Sequence, residues 1–271
     1  MIRFEALALA AAMASASAGI AFAADATPPE IKMSEVSVQD AKGWYVRGDV
    51  GYAVNASRTD TRFRAYDPAR GDYSSNSFDS TRFGGDFSGG LGVGYQFNDL
   101  FRADVTGDFF TGDFNGRISS DSPCSGGVGG AGCSTKARSS FRAGSLMVNG
   151  YVDLGTLAGF TPYVGAGLGA TRVSWSSVNA TGSCVDGTSS CGGAASISAR
   201  YPGDSDWRLT YALMAGVAYE VAPNVKVDLG YRFSHIAGGD MFGDSAASAT
   251  AGRDGALSRH EIRVGLRITT W

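Results

Sequence analysis

Downstream of residue 23 the chain lacks any uninterrupted run of the roughly 18 to 20 apolar residues that a membrane-spanning helix requires. Histidine occurs only at positions 235 and 260, and cysteine only four times. That leaves little for a zinc site, because neither local cysteine pair has CxxC spacing and both histidines lie elsewhere. There is no basic excess either: 23 Lys and Arg face 26 Asp and Glu, for a net charge of -3. Such a balance offers no electrostatic footprint for nucleic acid.

The N-terminus carries Arg3, a small-residue apolar stretch from Ala6 to Phe22, and Ala21-Phe22-Ala23 as an A-x-A cleavage site. Residues 1–23 therefore read as an export signal, with the mature chain starting near Ala24. Its removal takes away Arg3 and Glu5 and leaves the net charge unchanged. Residues 24–42 are polar, carry Pro28 and Pro29, and read as a periplasmic leader. Export makes disulfides the default state of the cysteines. Local pairing, Cys124 with Cys133 and Cys184 with Cys191, would close two short loops, and cross-pairing between the loops is left open by the sequence.

What the chain does have is alternation. Eight segments keep one face apolar and gather charge on the other, over about ten residues each. In the first, Val46, Gly48, Val50 and Tyr52 oppose Tyr45, Arg47, Asp49 and Gly51. In the last, Ile262, Val264, Leu266 and Ile268 oppose Glu261, Arg263, Gly265 and Arg267. A single such strand could belong to a soluble sandwich. Eight after an export signal predict an all-β fold, an eight-stranded antiparallel transmembrane up-and-down barrel over residues 43–271.

The predicted strands run over 44–54, 87–97, 101–111, 143–154, 162–174, 207–221, 225–234 and 259–269. Short connections at Asn98-Asp99-Leu100, 155–161 and Ala222-Pro223-Asn224 alternate with long ones at 55–86, 112–142, 175–206 and 235–258. Short turns on the periplasmic side and long loops outside are the barrel pattern. Tyr52, Phe97, Phe101, Tyr219 and Phe233 fall near strand ends, as interfacial girdles require.

On this register the inward faces carry Arg47, Arg102, Arg208, Lys226, Arg232, Arg263 and Arg267 against Asp49, Asp104, Asp108, Asp153, Glu220, Asp228 and Glu261. Seven positives meet seven negatives. An eight-stranded barrel has room only for side chains, and an unpaired buried charge costs several kcal/mol, so the balance predicts an interlocked ionic plug. The glycine runs at 90, 92 and 94 and at 165, 167 and 169 are expected to make space for the arginine side chains.

The segments Trp44-Tyr45-Val46, 161–169 (TPYVGAGLG), 228–233 (DLGYRF) and 260–267 (HEIRVGLR) together resemble the small porin-family, OmpA-like surface barrels of alphaproteobacteria. The likeness covers the strands and not the loops. It implies an outer-membrane location, insertion by the barrel-assembly machinery, contact with outer-membrane lipid and lipopolysaccharide, and roles in envelope integrity or host contact. Barrels of that kind end on an aromatic residue in phase with the last strand. Trp271 supplies the aromatic, out of phase with Ile268.

Candidate chemistry is sparse, and no cofactor is called for. His235 sits in a stretch that locally resembles lipid A deacylase barrels, which carry a Ser two residues after the His and then Asn. Here those positions are Ala237 and Gly238, so that nucleophile is missing. Asp104 and Asp108 invite comparison with omptin-like proteases, whose barrels are larger. His260 reads as a polar rim residue. In the first long loop Arg62, Arg64, Tyr66 and Tyr73 form a candidate surface-binding set for lipopolysaccharide phosphates or a host ligand, with nearby aspartates nearly cancelling the charge. Haem would want exposed Tyr66, Tyr73 or His235 beside apolar surface. The reading is a non-enzymatic outer-membrane barrel with four long loops, with a narrow solute channel and a lipid A-modifying enzyme as the alternatives.

Overall fold

A computed structural model describes residues 42–58, 61–67, 72–84, 87–120, 133–184, 197–243 and 250–270. The expected export signal, most of the expected leader, Cys124, Cys191 and Trp271 lie outside the described residues.

The described residues form fifteen strands: β1 (Gly43–Arg58), β2 (Arg62–Asp67), β3 (Asp72–Ser77), β4 (Ser80–Gly84), β5 (Phe87–Gln96), β6 (Phe101–Ser120), β7 (Cys133–Asp153), β8 (Phe160–Trp175), β9 (Val178–Cys184), β10 (Ile197–Tyr201), β11 (Ser205–Ala222), β12 (Val225–Ile236), β13 (Gly239–Phe242), β14 (Thr250–Asp254) and β15 (Leu257–Thr269). Eight of them follow one another as β7, β8, β11, β12, β15, β1, β5 and β6, and β6 pairs back onto β7. Every one of these pairings is antiparallel, so the eight predicted segments close into a ring.

The register follows the alternation. Val50 and Leu91, 64% and 74% exposed, stand on the outer face, while Tyr45 and Arg47 of the same wall are buried. Outside, aromatics cluster at two levels. Trp44 packs edge-on against Tyr95, and Phe160 packs at a tilt against Tyr219, near the short turns. At the opposite end Tyr52 meets Phe87, and Trp207 and Phe109 are exposed.

Local chemistry makes the short turns. Asn98 accepts the Leu100 and Phe101 N–H groups on Oδ1 at 2.9 and 2.7 Å, closing the β5–β6 turn. Asn224 takes φ 66° between β11 and β12, a left-handed conformation that asparagine tolerates.

The expectation of four long loops needs correction. β6 and β7 stay paired out to Ser120 and Cys133, so much of 112–142 is hairpin. β9 and β10 continue from β7 within 175–206, and β4 flanks β6 within 55–86. A separate four-stranded sheet, in the order β13, β14, β2, β3, joins the first and last of these regions. They escaped the sequence reading because their polarity is reversed. Above Phe109, β6 turns Thr111, Asp113, Asn115 and Arg117 outward and buries Phe110 and Phe114. β7 likewise exposes Lys136, Arg138 and Arg142 and buries Ala137, Phe141 and Ala143. A strand in water buries its apolar face, and a strand in lipid exposes it, so the reversal marks the bilayer surface.

The β7–β9 register also places Cys133 opposite Cys184. The local pairings expected from the sequence need Cys124 and Cys191, which lie outside the described residues.

Candidate functional site

The interior is the chemically richest region, and the strand ladder fixes who meets whom. Arg47 of β1 binds Asp49 on its own strand at 2.7 Å and reaches Asp104 of β6 at 3.1 Å. It also donates to the Tyr151 hydroxyl of β7 at 3.0 Å. Asp104 accepts in addition from Tyr45 at 3.0 Å and from Asn149 at 2.7 Å. A carboxylate with three donors is well solvated by protein, as a buried charge must be.

The other charges follow suit. Arg102 pairs with Asp153 at 3.0 Å while its guanidinium lies 3.9 Å over the Tyr151 ring and 4.8 Å over Tyr163. Arg232 reaches Asp108 at 2.8 Å, and Arg263 pairs with the same carboxylate. Arg267 binds Asp228 at 3.2 Å. Glu261 takes Arg259 at 3.0 Å and accepts the Ser88 hydroxyl. Asp108 and Arg232 stand on strands four apart in the ring of eight, so this pair spans the interior from one wall to the other.

Three of the fourteen predicted interior charges are placed differently. Glu220 and Lys226 face each other at 4.0 Å beside the β11–β12 turn, with Glu220 exposed, because their parity points inward only at the very rim. Arg208 sits at the outer mouth and takes Asp206 at 2.7 Å and Asp254 at 2.6 Å. Asp206 and Asp254 were not anticipated. Arg259 was overlooked although it shares the parity of Glu261 and Arg263. The glycine expectation also changes. Gly94 faces Tyr45 in the ladder and Gly165 faces Tyr151, and a Cβ on either would meet the tyrosine ring at 2.2 or 2.5 Å. Tyrosine rings fill the space at these two positions, while the Arg47 chain passes beside Gly92 as expected.

Above the ionic layer the reversed strands supply an apolar one. Phe110, Phe114, Phe141, Val173, Trp175 and Ile236 are buried together with Met241, Phe242 and Leu257. Phe114 packs edge-on against Trp175 at 6.0 Å and Phe78 at 5.4 Å. Arg259 lies 4.2 Å over Phe110, where the two layers meet.

The remaining candidates are scattered. His235 stacks on Tyr211 and places Nδ1 3.2 Å from the Ser258 hydroxyl, a partner supplied across strands rather than along the motif. Among the described residues no carboxylate hydrogen-bonds that imidazole. His260 hydrogen-bonds Tyr231 on the outer face. Arg62 and Arg64 lie on β2, and Tyr66 and Tyr73 are ladder partners of β2 and β3. No cluster of three metal-binding side chains occurs among the described residues.

An antiparallel ring with an apolar outer wall, aromatic belts and a charged interior is a small outer-membrane barrel, and its place is the outer membrane of a Gram-negative bacterium. The chain belongs to the outer membrane protein beta-barrel domain family, whose model matches residues 6–267. It is 32% identical to an uncharacterized protein of Brucella suis biovar 1 (strain 1330) over 247 residues, 83% of this chain and 84% of the relative. A Rickettsia bellii protein, whose name proposes it as an adhesin, is 28% identical over 90% of this chain and 96% of its own length. Among solved structures, Neisserial surface protein A is similar at 19% identity and a TM-score of 0.43, covering 83% of this chain and 96% of that one. OprG of Pseudomonas aeruginosa gives 14% identity and a TM-score of 0.41 over 84% of this chain and 97% of its own.

Proposed function

We propose that the protein is a non-enzymatic, closed barrel that supports envelope integrity and presents its extracellular strands and loops for contact with external ligands. One observation supports this reading: buried ion pairs occupy the interior, the Arg232–Asp108 pair spanning it from wall to wall, and buried aromatics lie above them. Buried pairs of this kind resist separation, since breaking one strands a charge at a cost of about 3–5 kcal/mol. The adhesin name of the Rickettsia relative supports the surface-contact half of the reading. The same reading has the barrel inserted by the barrel-assembly machinery.

The test uses a deletion strain complemented with the intact chain, or with a chain whose β2–β3 and β13–β14 segments are replaced by short turns. The trimmed barrel is expected to restore detergent resistance and to lose attachment to host cells. Unchanged attachment would remove the surface-contact role. Steady single-channel conductance of the purified intact protein in a planar bilayer would replace the closed barrel with a channel.

A further inference from the structure

The reversal of polarity leaves a basic face on the outside of β6–β10 that no interaction among the described residues uses. Arg117, Lys136, Arg138, Arg142, Arg172 and Arg200 are all exposed there, and none forms an ion pair with a described residue. The ladder sets them side by side. Arg117 stands directly opposite Lys136, and Asn115, Arg138, Asn179 and Arg200 form the next row across four strands. Directly opposed side chains have Cβ atoms about 4.5–5.5 Å apart, and like charges at that spacing are destabilising unless an anion lies between them. Of the nearby acids, Asp113 stands on the same face opposite Ser140, between the rows of Arg138 and Arg142, and Asp79 accepts the Ser119 N–H at 2.6 Å, so the basic groups outnumber the acids on this face. Ser80, Asn115, Arg117, Lys136 and Arg138 line a shallow groove at this place.

Height above the bilayer selects the occupant. Arg172 is the ladder partner of Trp207, an exposed aromatic at the level where tryptophan marks the membrane interface. Below it the same wall is aliphatic, with Leu146, Val148 and Leu168 exposed. From Arg142 up to Lys136 the strand rises roughly 20 Å, less when tilted. The basic face thus begins where acyl chains end and extends through the layer of anionic sugar headgroups, continuous with the lipid-facing wall.

We propose that this face is a binding site for the phosphate groups of outer-leaflet saccharolipid, the acyl chains lying on the aliphatic wall and the phosphates bridging Arg142 and Arg172 below and Arg117, Lys136 and Arg138 above. Guanidinium groups bind phosphate through paired N–H donors, and one bound phosphate relieves the Arg117–Lys136 repulsion. The site is distinct from the arginines of β2 and does not depend on any role of the surface in host contact.

The full chain is purified from outer membranes in mild detergent, and retained lipopolysaccharide is counted by native mass spectrometry. The wild-type protein is expected to retain it and to prefer bisphosphorylated over monophosphorylated lipid A on re-addition. Lys136→Ser/Arg138→Ser and Arg142→Ser/Arg172→Ser are expected to lower retention roughly tenfold or more, consistent with charge-assisted hydrogen bonds. Lys136→Arg/Arg138→Lys keeps the charges and is expected to keep the lipid, which separates a lost site from a misfolded barrel. Arg117→Gln is expected to raise the thermal midpoint of the delipidated protein while weakening lipid retention. Equal retention by both serine variants and the wild type would overturn the proposal. So would variants that lose heparin binding while keeping lipid, which would make the face a receptor for a soluble polyanion.

Discussion

Arg232 and Asp108 meet at 2.8 Å from opposite walls of the barrel, 124 positions apart in sequence. Asp108 also holds Arg263, so one carboxylate compensates two buried guanidinium groups. Asp108→Asn is therefore expected to destabilise the barrel by about 3–5 kcal/mol, the cost of stranding buried charge. Urea unfolding in detergent micelles, followed by tryptophan fluorescence, checks it; a shift of the midpoint smaller than that of a rim change such as Glu220→Gln would contradict it.

Tyr45 occupies the space a side chain on Gly94 would need. Gly94→Ala is expected to cost about 1–3 kcal/mol by overpacking. The Tyr45→Ala change should cost less in that background than in the wild type, because the clash has gone, and a double-mutant cycle on the same unfolding assay reads the coupling directly. Additive effects would mean that the ring and the glycine do not share that space.

The ladder that sets Cys133 opposite Cys184 favours a bridge across the two hairpins. Such a bridge would leave Cys124 to pair with Cys191. Proteolysis without reduction is expected to yield a peptide joining the segments around residues 133 and 184. A peptide joining 124 to 133 would restore the local pairing.

His235 and Ser258 lie within hydrogen-bond reach, yet no described carboxylate orients the imidazole. Ser258→Ala and His235→Ala are expected to leave the mass spectrum of lipid A unchanged in cells carrying the protein. Any acyl chain that is removed by the wild type and kept by both variants would make the barrel an enzyme.

The eight membrane strands were legible because lipid imposes one rule on every second residue, and Val50, Leu91 and Val264 obey it without exception on the outer wall. Most of the interior charges were legible for the same reason, since parity alone assigns Arg47, Asp104, Arg232 and Glu261 to the inside. The outer extensions were not. There the medium changes from hydrocarbon to water, the rule inverts, and Phe114, Phe141 and Trp175 point inward from stretches that read as polar loops. Arg208 was assigned to the plug on parity, but its partner Asp254 lies 46 residues away on a strand whose existence no periodicity announced. Parity says which way a side chain faces, and height along the strand decides what it meets.

The inversion on β6 and β7 fixes the draught of the vessel. Sinking by one ladder step would push Arg142 and Arg172 toward hydrocarbon, and rising by one would lift Leu146 and Leu168 into water. Both displacements are opposed along the wall that β7 and β8 share, so this side of the barrel keeps its height, and the strands that continue above it are held at a set distance from the membrane.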